Sequence, residues 1–333
     1  MDKAILHKIN SRTKPLGSLG KLEKLAFQIA KVQQTLVPKL TRPAILVFAA
    51  DHGITEEGVS PCPKEITHQM VMNFVNGGAG INVFSRQHDI VLKVIDGGVD
   101  FDFPEDLGII HRKIQRGTSN MMHQPAMHTD VCLKAMSVGR EMVRNEYGEG
   151  SNIIGFGVMG IGNTSAASLL LHKFSGYPLE ECVGRGAGSN EEGVLHKLKI
   201  LKAVAEKYNP QSPIETLATF GGIEIAMMCG AILEAKKLNM LILADGFVAT
   251  SAFITAYEIQ PDILDNTIFT HSSDEKGHVL MLKYLNADPL LHLDLRLGEG
   301  TGVALAYPLI RSSIIFLNEM ADFDSAQVFQ VDK

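Results

Sequence analysis

The sequence predicts an α/β protein whose parallel sheet is covered by helices on both faces. Short runs of consecutive apolar residues recur along the chain, and each run stops at a glycine-rich or polar turn. Segments with apolar side chains at helical spacing follow these turns. Continuous apolar runs are typical of strands that are buried on both faces, and their alternation with helices indicates parallel pairing.

The elements follow this alternation from the N-terminus. Residues 19–37 carry leucine, isoleucine and alanine at helical spacing before Pro38, which predicts an amphipathic helix. The apolar runs that predict strands are AILVFAA (44–50), IVLKVID (90–96), IIGFGV (153–158), TLATF (216–220), MLILAD (240–245) and TIFTH (267–271). The segment after Gly108 lacks a clear period and is interpreted as a long connection plus a helix, and the tail from residue 322 as a terminal extension.

The ends of the predicted strands are the expected place for a ligand, because parallel α/β sheets bind ligands where strands end and helices begin. Glycine lets the backbone approach a ligand closely, and the N-terminus of the following helix offers free N–H groups to an anion. The chain carries glycine-rich or polar turns at these points: DHG (51–53), DGG (96–98), GVMGIGNTS (157–165), GG (221–222), DG (245–246) and HSS (271–273).

The composition is that of an ordinary globular protein, with 45% hydrophobic and 20% charged residues among 333. The net charge of −6 leaves no broad basic surface, which argues against nucleic acid as a partner. The four cysteines lie far apart and the N-terminus has no apolar core of signal-peptide length, so we expect a reduced, cytoplasmic protein. Charged residues interrupt the most apolar stretches, around residues 222–256, and no membrane span is expected.

Two glycine-rich segments are candidates for phosphate binding. In VMGIGNTSAASLL the backbone N–H groups from Gly160 to Thr164 can hold a phosphate, although a tight turn before a core helix explains the pattern equally well. In VGRGAGSNEEGVLHK the glycines can wrap a phosphate with Lys197 as the opposing charge, and a solvated surface lysine is the alternative. Neither segment is a GxGxxG fingerprint or a Walker loop, so no NAD, ATP or other cofactor is predicted.

Glu299 is the candidate catalytic carboxylate. It lies between two glycines in LDLRLGEGTGVALA, just before a helical pattern, and glycine on both sides stabilises neither a helix nor a strand. A carboxylate that a loop presents near apolar walls is suited to act as a general base. The alternative interpretation is a first-turn glutamate that interacts with the helix dipole.

A metal site is the competing interpretation of the polar residues at the strand ends. Asp51, His52, Asp245, His271 and His278 are possible ligands. No HxH, HExxH or paired-carboxylate spacing connects them, and isolated Asp-His pairs usually belong to hydrogen-bonded turns. We therefore predict no bound metal.

Taken together, these segments resemble the nicotinate-nucleotide:dimethylbenzimidazole phosphoribosyltransferase (CobT) family. The resemblance runs in family order from residue 14 to about residue 306. It implies a Rossmann-like, mostly parallel sheet in a large domain over about residues 41–306, and a small helical domain from residues 1–40 and about 307–333. It also implies a dimer whose active site lies at the strand ends. The matching pieces are KPLGSLGKLEKLA, ADHGITEEGVS, GGAGINVFSRQ, GIGNTSAASLL, VGRGAG, FGGIEIAMMCGAILEA, ADGFVATSAF and LRLGEGTGVALA.

The resemblance also implies roles for individual residues. Glu299 matches the family's general base, which takes a proton from the acceptor ring. Residues that match the nucleotide- and phosphate-binding regions are Gly160, Gly162, Asn163, Gly186, Gly188 and Lys197, with Ser272 or Ser273 in a polar loop that departs from the family pattern. The implied reaction transfers the phosphoribosyl group of nicotinate mononucleotide to dimethylbenzimidazole or a phenol such as p-cresol, giving an α-ribotide and nicotinate.

The clearest departure from the family is Val158, where a glutamate normally precedes the GIGNT turn. Valine followed by Met159 makes this part of the pocket apolar, with Cys62 and Met70 as further candidates for its lining or for the core. An apolar wall suits a phenol, so the chain resembles the branch that activates phenolic lower ligands as homodimers or as heterodimers of related subunits. A non-catalytic paralogue and a metal-dependent hydrolase using Asp51, His52 and His271 are the alternatives.

Overall fold

The computed structural model describes residues 1–186 and 188–329 of the chain, and its centre is a parallel sheet. The strands of this sheet are β1 (Ala44–Ala50), β2 (Val91–Gly98), β3 (Ile110–His111), β4 (Ile153–Met159), β5 (Leu241–Ala244) and β6 (Thr267–Phe269). All six pair in parallel, in the order β3-β2-β1-β4-β5-β6. This is the order of a Rossmann-type sheet, and it confirms the predicted α/β class. The order reverses between β1 and β4, which is where such sheets bind ligands.

The described residues also form α-helices and a short second sheet. The α-helices are α1 (Asp2–Asn10), α2 (Lys21–Val32), α3 (Ile66–Val75), α4 (Gly80–Gln87), α5 (Thr129–Gly148), α6 (Asn163–Ser175), α7 (Leu179–Cys182), α8 (Glu191–Lys207), α9 (Pro213–Phe220), α10 (Ile223–Lys237), α11 (Phe247–Ile259), α12 (Lys276–Tyr284), α13 (Thr301–Glu319) and α14 (Phe323–Ala326). Strands β7 (His271–Ser272) and β8 (Leu291–His292) pair in parallel as a separate two-stranded sheet.

Helices cover both faces of the large sheet, as predicted. Side chains alternate across a strand, and in β1 Leu46 and Phe48 pack into a core formed with α5, α6, α10 and α11. Ile45 and Val47 point to the other face, where they pack with α2, α3, α4 and α13. All residues of β1 are buried, which explains why its sequence is a continuous apolar run rather than an alternating one.

A third, smaller apolar cluster joins the two ends of the chain. It contains Ile5 and Ile9 of α1, two alanines of α2, and Phe316 and Leu317 near the end of α13. The guanidinium of Arg12 donates to the carbonyl oxygens of Leu317 at 2.7 Å and Met320 at 2.5 Å. The boundary expected near residue 307 falls within α13, so this one helix belongs to both the sheet and the terminal cluster.

Helix α13 is also the one described helix that is long and apolar enough to span a membrane by length and composition. Of its most apolar window, 56% is buried inside the protein. Its buried residues Val303 and Ile310 belong to the core beneath the sheet. The apolar character of α13 is therefore explained by packing within the fold.

Several local predictions differ from the structure, and the following are examples. Residues 216–220 belong to α9 and not to a strand, because Ser212 caps the helix by accepting the N–H of Glu215, and Pro213 occupies the first turn. Within the predicted HSS turn, His271 and Ser272 form β7. The tail contains the short helix α14, and its last residues, 330–333, lie outside the described part of the chain.

Candidate functional site

A cavity of about 310 Å³ opens at the carboxyl ends of β4 and β5. Of the residues predicted for the site, Lys197, Ser272, Gly162 and Gly188 lie outside its wall. A wider cavity of about 640 Å³ adjoins it and shares Glu275 and Arg296 with it. The wall of the smaller cavity brings together most of the residues predicted from the sequence: Cys62, Met70, Val158, Met159, Gly160, Asn163, Gly186, Ser273 and Glu299.

The glycine turn after β4 packs tightly on the end of β1. A Cβ atom on Gly160 would lie 2.3 Å from the carbonyl oxygen of Ala50, and Gly162 has a left-handed φ of +97°. These contacts explain why glycine is required at both positions. Helix α6 begins directly after the turn, and Asn163 and Thr164 of its first turn line the cavity. The positive end of the α6 dipole therefore points to the cavity, as suits an anion.

Lys197 lies behind this wall. The side chain is buried, and its Nζ donates to Thr164 Oγ1 at 2.7 Å. Burial lowers the pKa of Lys197 to about 8, although the charge of Glu275 acts in the opposite direction. Glu275 in turn accepts the backbone N–H of Gly186 and lines the cavity. The positive charge of Lys197 is thus one side chain away from the wall formed by Thr164 and Gly186.

Glu299 is held in a strained loop at the cavity wall. Its φ is +66°, between Gly298 at +82° and Gly300 at +89°, and a left-handed conformation costs a non-glycine residue roughly 1–2 kcal/mol. A Cβ atom on Gly157 would lie 2.3 Å from the Glu299 carbonyl oxygen, so the loop rests directly on β4. The sequence predicted this residue from its two flanking glycines, and the structure gives those glycines a conformational reason.

The Glu299 carboxylate is poised to accept a proton. The side chain is only 5% exposed, and Oε2 has no hydrogen-bond partner among the residues that the structure describes. The pKa of Glu299 is raised to about 7, mainly by burial and also by the charge of Asp245, while the hydrogen bond from the Ile81 N–H acts in the opposite direction. A carboxylate with an available oxygen and a pKa near neutral pH has the properties of a general base.

Ser273 lines the cavity, whereas Ser272 does not. The Ser273 N–H donates to His278 Nδ1 at 3.0 Å, so the proton of this imidazole is on Nε2, which donates to Thr250 Oγ1 at 3.0 Å. Burial lowers the pKa of His278 to about 3, which keeps the ring neutral. His278 is therefore a structural support of the loop that carries Ser273.

The residues considered as metal ligands serve other purposes. His52 Nε2 lies 2.7 Å from Glu224 Oε1, and both side chains are fully buried beneath the glycine turn. Burial opposes the charged form of His52, but the neighbouring Glu224 and Asp51 together raise its pKa. Asp51 Oδ2 accepts the N–H of Asp100 at 2.8 Å. Within residues 1–186 and 188–329, no three histidine, cysteine or acidic side chains are arranged to hold a metal ion.

Several cavity residues were not singled out from the sequence. Phe247, Val248 and Ala249 come from the first turn of α11, and Arg296 and Glu275 form the rim shared with the wider cavity. The DG turn after β5 indicated that the start of α11 would lie near a ligand, and Arg296 directly precedes the glutamate loop. The sequence offered no comparable signal for Glu275.

The Rossmann-type sheet and the buried carboxylate at its carboxyl edge define an α/β enzyme whose cavity lies beside a helix N-terminus. A family model described as "Phosphoribosyltransferase" matches residues 1–328. The chain belongs to this family of phosphoribosyltransferases.

Individual members of the family are similar over nearly the whole chain. A nicotinate-nucleotide-dimethylbenzimidazole phosphoribosyltransferase from Cupriavidus taiwanensis is 50% identical over 321 residues, which cover 96% of this chain and 93% of the relative. The enzyme of the same name from Bacteroides fragilis is 46% identical over 326 residues, covering 98% and 94% of the two chains. The crystal structure of CobT from Thermus thermophilus matches with a TM-score of 0.96 at 39% identity, over 99% of both chains.

Proposed function

We propose that the protein transfers the phosphoribosyl group of nicotinate mononucleotide to an aromatic lower-ligand base, giving an α-ribotide and nicotinate in cobamide biosynthesis. The observation that carries this proposal is the buried carboxylate of Glu299 at the cavity wall. The residue lines the cavity, its carboxylate is buried, and its Oε2 has no hydrogen-bond partner among the described residues. The names of the relatives, which are 46–50% identical to the chain, support the same substrates.

The charge of the donor substrate explains why one carboxylate is sufficient. The glycosidic nitrogen of nicotinate mononucleotide is a pyridinium, so the C1′–N bond breaks with its electron pair returning to that nitrogen, and the leaving group needs no general acid. The acceptor forms the new bond to C1′ through a ring nitrogen or its hydroxyl oxygen, and the ring N–H or hydroxyl proton that it loses goes to Glu299. Attack from the face opposite to nicotinate converts the β-linkage into an α-linkage. A positioned base contributes roughly 10²–10⁴-fold to such a step.

Two groups of residues at the cavity suit the two substrates. The start of α6, with Gly160, Asn163 and the charge of Lys197 behind it, suits the phosphate. Glu299 lies on the same wall as the apolar side chains Met70 and Met159, which suit an aromatic ring. This arrangement would place the acceptor between the base and the sugar, and holding both substrates in line can lower the barrier by about 7–11 kcal/mol.

A phenol is the second candidate acceptor, and the lining of the cavity favours it. Val158 is 7% exposed and lines the cavity together with Cys62, Met70 and Met159. These side chains offer no carboxylate to the polar ring edge of an azole, whereas they can enclose the apolar ring of a substituted phenol whose hydroxyl is engaged with Glu299. We therefore propose that the chain accepts p-cresol-like phenols in addition to dimethylbenzimidazole.

We also propose that the enzyme works as a dimer, either with a second copy or with a related paralogue. Leu195, Leu293 and Leu297 are more than half exposed, at 67%, 52% and 59%. Leu195 and Leu297 lie on the walls of the two adjoining cavities. An apolar surface beside a catalytic cavity supports a partner subunit there, and light scattering after gel filtration would measure the assembly.

The decisive experiment incubates the purified protein with nicotinate mononucleotide and a panel of benzimidazoles, purines and phenols. Chromatography with mass spectrometry then measures α-ribotide and nicotinate. We expect equal amounts of both products, and their loss in Glu299→Gln. Release of nicotinate without a ribotide would indicate hydrolysis instead, and tight binding of the nucleotide without any turnover would identify a non-catalytic subunit.

A further inference from the structure

Asp245 connects the end of β5 to the start of α13, the helix that follows Glu299. It is 2% exposed. Its Oδ2 accepts the N–H of Gly300 at 3.0 Å, and its Oδ1 accepts the N–H of Gly302 at 2.9 Å. The first N–H groups of a helix have no partner within the helix, so this one carboxylate satisfies two of them. The two amides lie one and three residues after Glu299.

The surroundings of Asp245 leave little freedom for it to move. His271 Nδ1 lies 3.8 Å from Asp245 Oδ1. A Cβ atom on Gly302 would lie 2.0 Å from His271 Nδ1 and 2.8 Å from Asp245 Oδ1. Glycine at position 302 therefore allows both side chains to pack directly on the first turn of α13.

The contacts of Asp245 help to hold the Glu299 loop in its strained backbone conformation. Three consecutive residues, 298–300, have left-handed backbone angles, and Glu299 is not a glycine. Such a conformation persists only where neighbouring contacts hold it in place. The β4 backbone supports the loop through Gly157, and Asp245 fixes its far end through the Gly300 amide.

Asp245 is also the main charge near Glu299. The elements packed around Glu299 otherwise present apolar side chains, such as Val158 and Met70, and the Ile81 N–H at the start of α4. The other ionisable groups on the cavity wall are Cys62, His271, Glu275 and Arg296. Of all these groups, Asp245 is the one whose negative charge raises the pKa of Glu299.

We propose that Asp245 is a positioning residue for Glu299, which fixes the glutamate loop by accepting the N–H groups of Gly300 and Gly302 and sets its electrostatic surroundings by its negative charge. The inference rests on the proposed function and deepens it. Asp245 acts through the backbone N–H groups of Gly300 and Gly302 at the N-terminus of α13, so it does not need to contact either substrate.

The first test is Asp245→Asn. An amide has one oxygen, so it can accept only one of the two N–H groups, and its own NH₂ would face the other. Displacement of a reacting group by about 1 Å can cost roughly 10²-fold in rate. We expect kcat to fall by about this factor, with little change in KM for nicotinate mononucleotide. Removal of the negative charge should also move the acid limb of the kcat/KM profile to lower pH.

The second test does not depend on turnover. Infrared difference spectroscopy at varied pH can follow the carboxylic acid band of Glu299, identified as the band that Glu299→Gln removes. We expect its midpoint to fall in Asp245→Asn. Asp245→Glu keeps the charge but cannot keep both contacts, so it should lower kcat while leaving the midpoint close to that of the wild type. If no acceptor supports turnover in the wild type, the proposed function fails, and the infrared titration still decides the role of Asp245.

A matched control is Asp322→Asn. Asp322 caps α14 by accepting the N–H of Ser325 at 2.8 Å, far along the chain from the cavity. The variant Asp322→Asn should lower neither kcat nor the pH midpoint of the Glu299 carboxylic acid band. A folded Asp245→Asn with wild-type kcat, or with an unshifted midpoint, would overturn the proposal. Failure of both Asp245 variants to fold would assign the residue to stability alone and would also overturn it.

Discussion

Glu299 owes its chemistry to burial and to the conformation of a single residue. Its carboxylate lies in an apolar wall rather than in water, which raises its pKa to about 7 and leaves Oε2 without a partner among the described residues. An ordinary glutamate would be fully ionised at neutral pH and a weaker base. The loop thus converts a common side chain into one that can exchange a proton under physiological conditions.

Replacement of Glu299 by glutamine tests this role. The amide keeps the shape but cannot take a proton, so we expect turnover to fall roughly 10²-fold or more. In the wild type, kcat/KM should rise with pH through about 7, where Glu299 loses its proton. Steady-state rates measured between about pH 5 and 9 would check both expectations, and near-wild-type turnover of the variant would remove Glu299 from the mechanism.

The thermal stability of Glu299→Gln provides a second test of the raised pKa of Glu299. Between the unfolded pKa and about 7, the unfolded chain loses the Glu299 proton while the folded protein keeps it, so this residue makes the protein less stable as the pH rises. Glu299→Gln should therefore melt at a higher temperature than the wild type at about pH 8. Near pH 3, where the glutamate is protonated in both states, the difference should become small.

Val158 tests the preference between acceptors. A glutamate at this position would be buried beside the acceptor, where it would disfavour the apolar ring edge of a substituted phenol more than the polar ring edge of an azole. We expect Val158→Glu to weaken turnover of phenols and to improve the ratio for dimethylbenzimidazole. Val158→Met is the apolar control. Relative turnover and melting temperature are measured together, and a large loss of stability with an unchanged ratio would show that Val158 only packs in the core.

Replacement of Lys197 tests whether its charge contributes to the phosphate site proposed at the start of α6. Lys197→Met keeps most of the packing and removes the charge behind Thr164. A direct charge-assisted contact is worth about 1.5–3 kcal/mol, and the Lys197 charge acts through Thr164 instead, so we expect KM for nicotinate mononucleotide to rise by about threefold to tenfold and that for the nucleoside to change far less. Lys202→Met, from the exposed side of α8, is the control. Equal losses for nucleotide and nucleoside would show that the charge does not act on the phosphate.

Sequence reasoning identified Glu299 but not the residue that holds it. Glycines on both sides of an acid are a local signal, and they correctly indicated a loop at the cavity. Asp245 was placed in a turn at a strand end and considered as a metal ligand, but its support of Glu299 was not predicted, because its partners Gly300 and Gly302 lie 55 and 57 positions further along the chain. A contact over such a separation depends on the strand order, which no local pattern contains.

At the scale of elements, the strands that are buried on both faces were predictable. The runs at 44–50 and 153–158 match β1 (Ala44–Ala50) and β4 (Ile153–Met159) almost residue for residue, because a central parallel strand must be continuously apolar. The two-residue edge strand β3 could not be found this way, since two residues carry no period. The run at 216–220 is apolar but helical. The Ser-Pro start and Glu215 of α9 form the capping signal that indicates a helix rather than a strand.

Helix α13 shows how elements serve the site and the fold at once. Its first turn is capped by Asp245, its middle packs beneath the sheet through Val303 and Ile310, and its last turns enter the cluster formed with α1 and α2. The sequence suggested a domain boundary within this helix. That boundary stays a prediction, and the continuous helix gives the loop of Glu299 a rigid support.

At the scale of the molecule, Arg12 joins the N-terminal segment to the end of α13. Arg12→Met would leave the carbonyl oxygens of Leu317 and Met320 without this donor, and a buried unsatisfied group costs about 1–3 kcal/mol. We expect a lower melting temperature with nearly unchanged turnover at room temperature. Arg311→Met, an exposed arginine of the same helix, is the control and should change neither quantity. An unchanged melting temperature for Arg12→Met would show that the ends of the chain do not depend on this contact.

The left-handed conformation of Glu299 has a consequence for engineering of the enzyme. Glycine or asparagine would occupy this backbone position more comfortably than glutamate, and neither would bury an ionisable group. A random library that is screened only for heat resistance should therefore become enriched in the replacements Glu299→Gly and Glu299→Asn and lose its activity. Directed evolution of this scaffold will need a catalytic selection in every round, because survival on heating rewards the removal of its base.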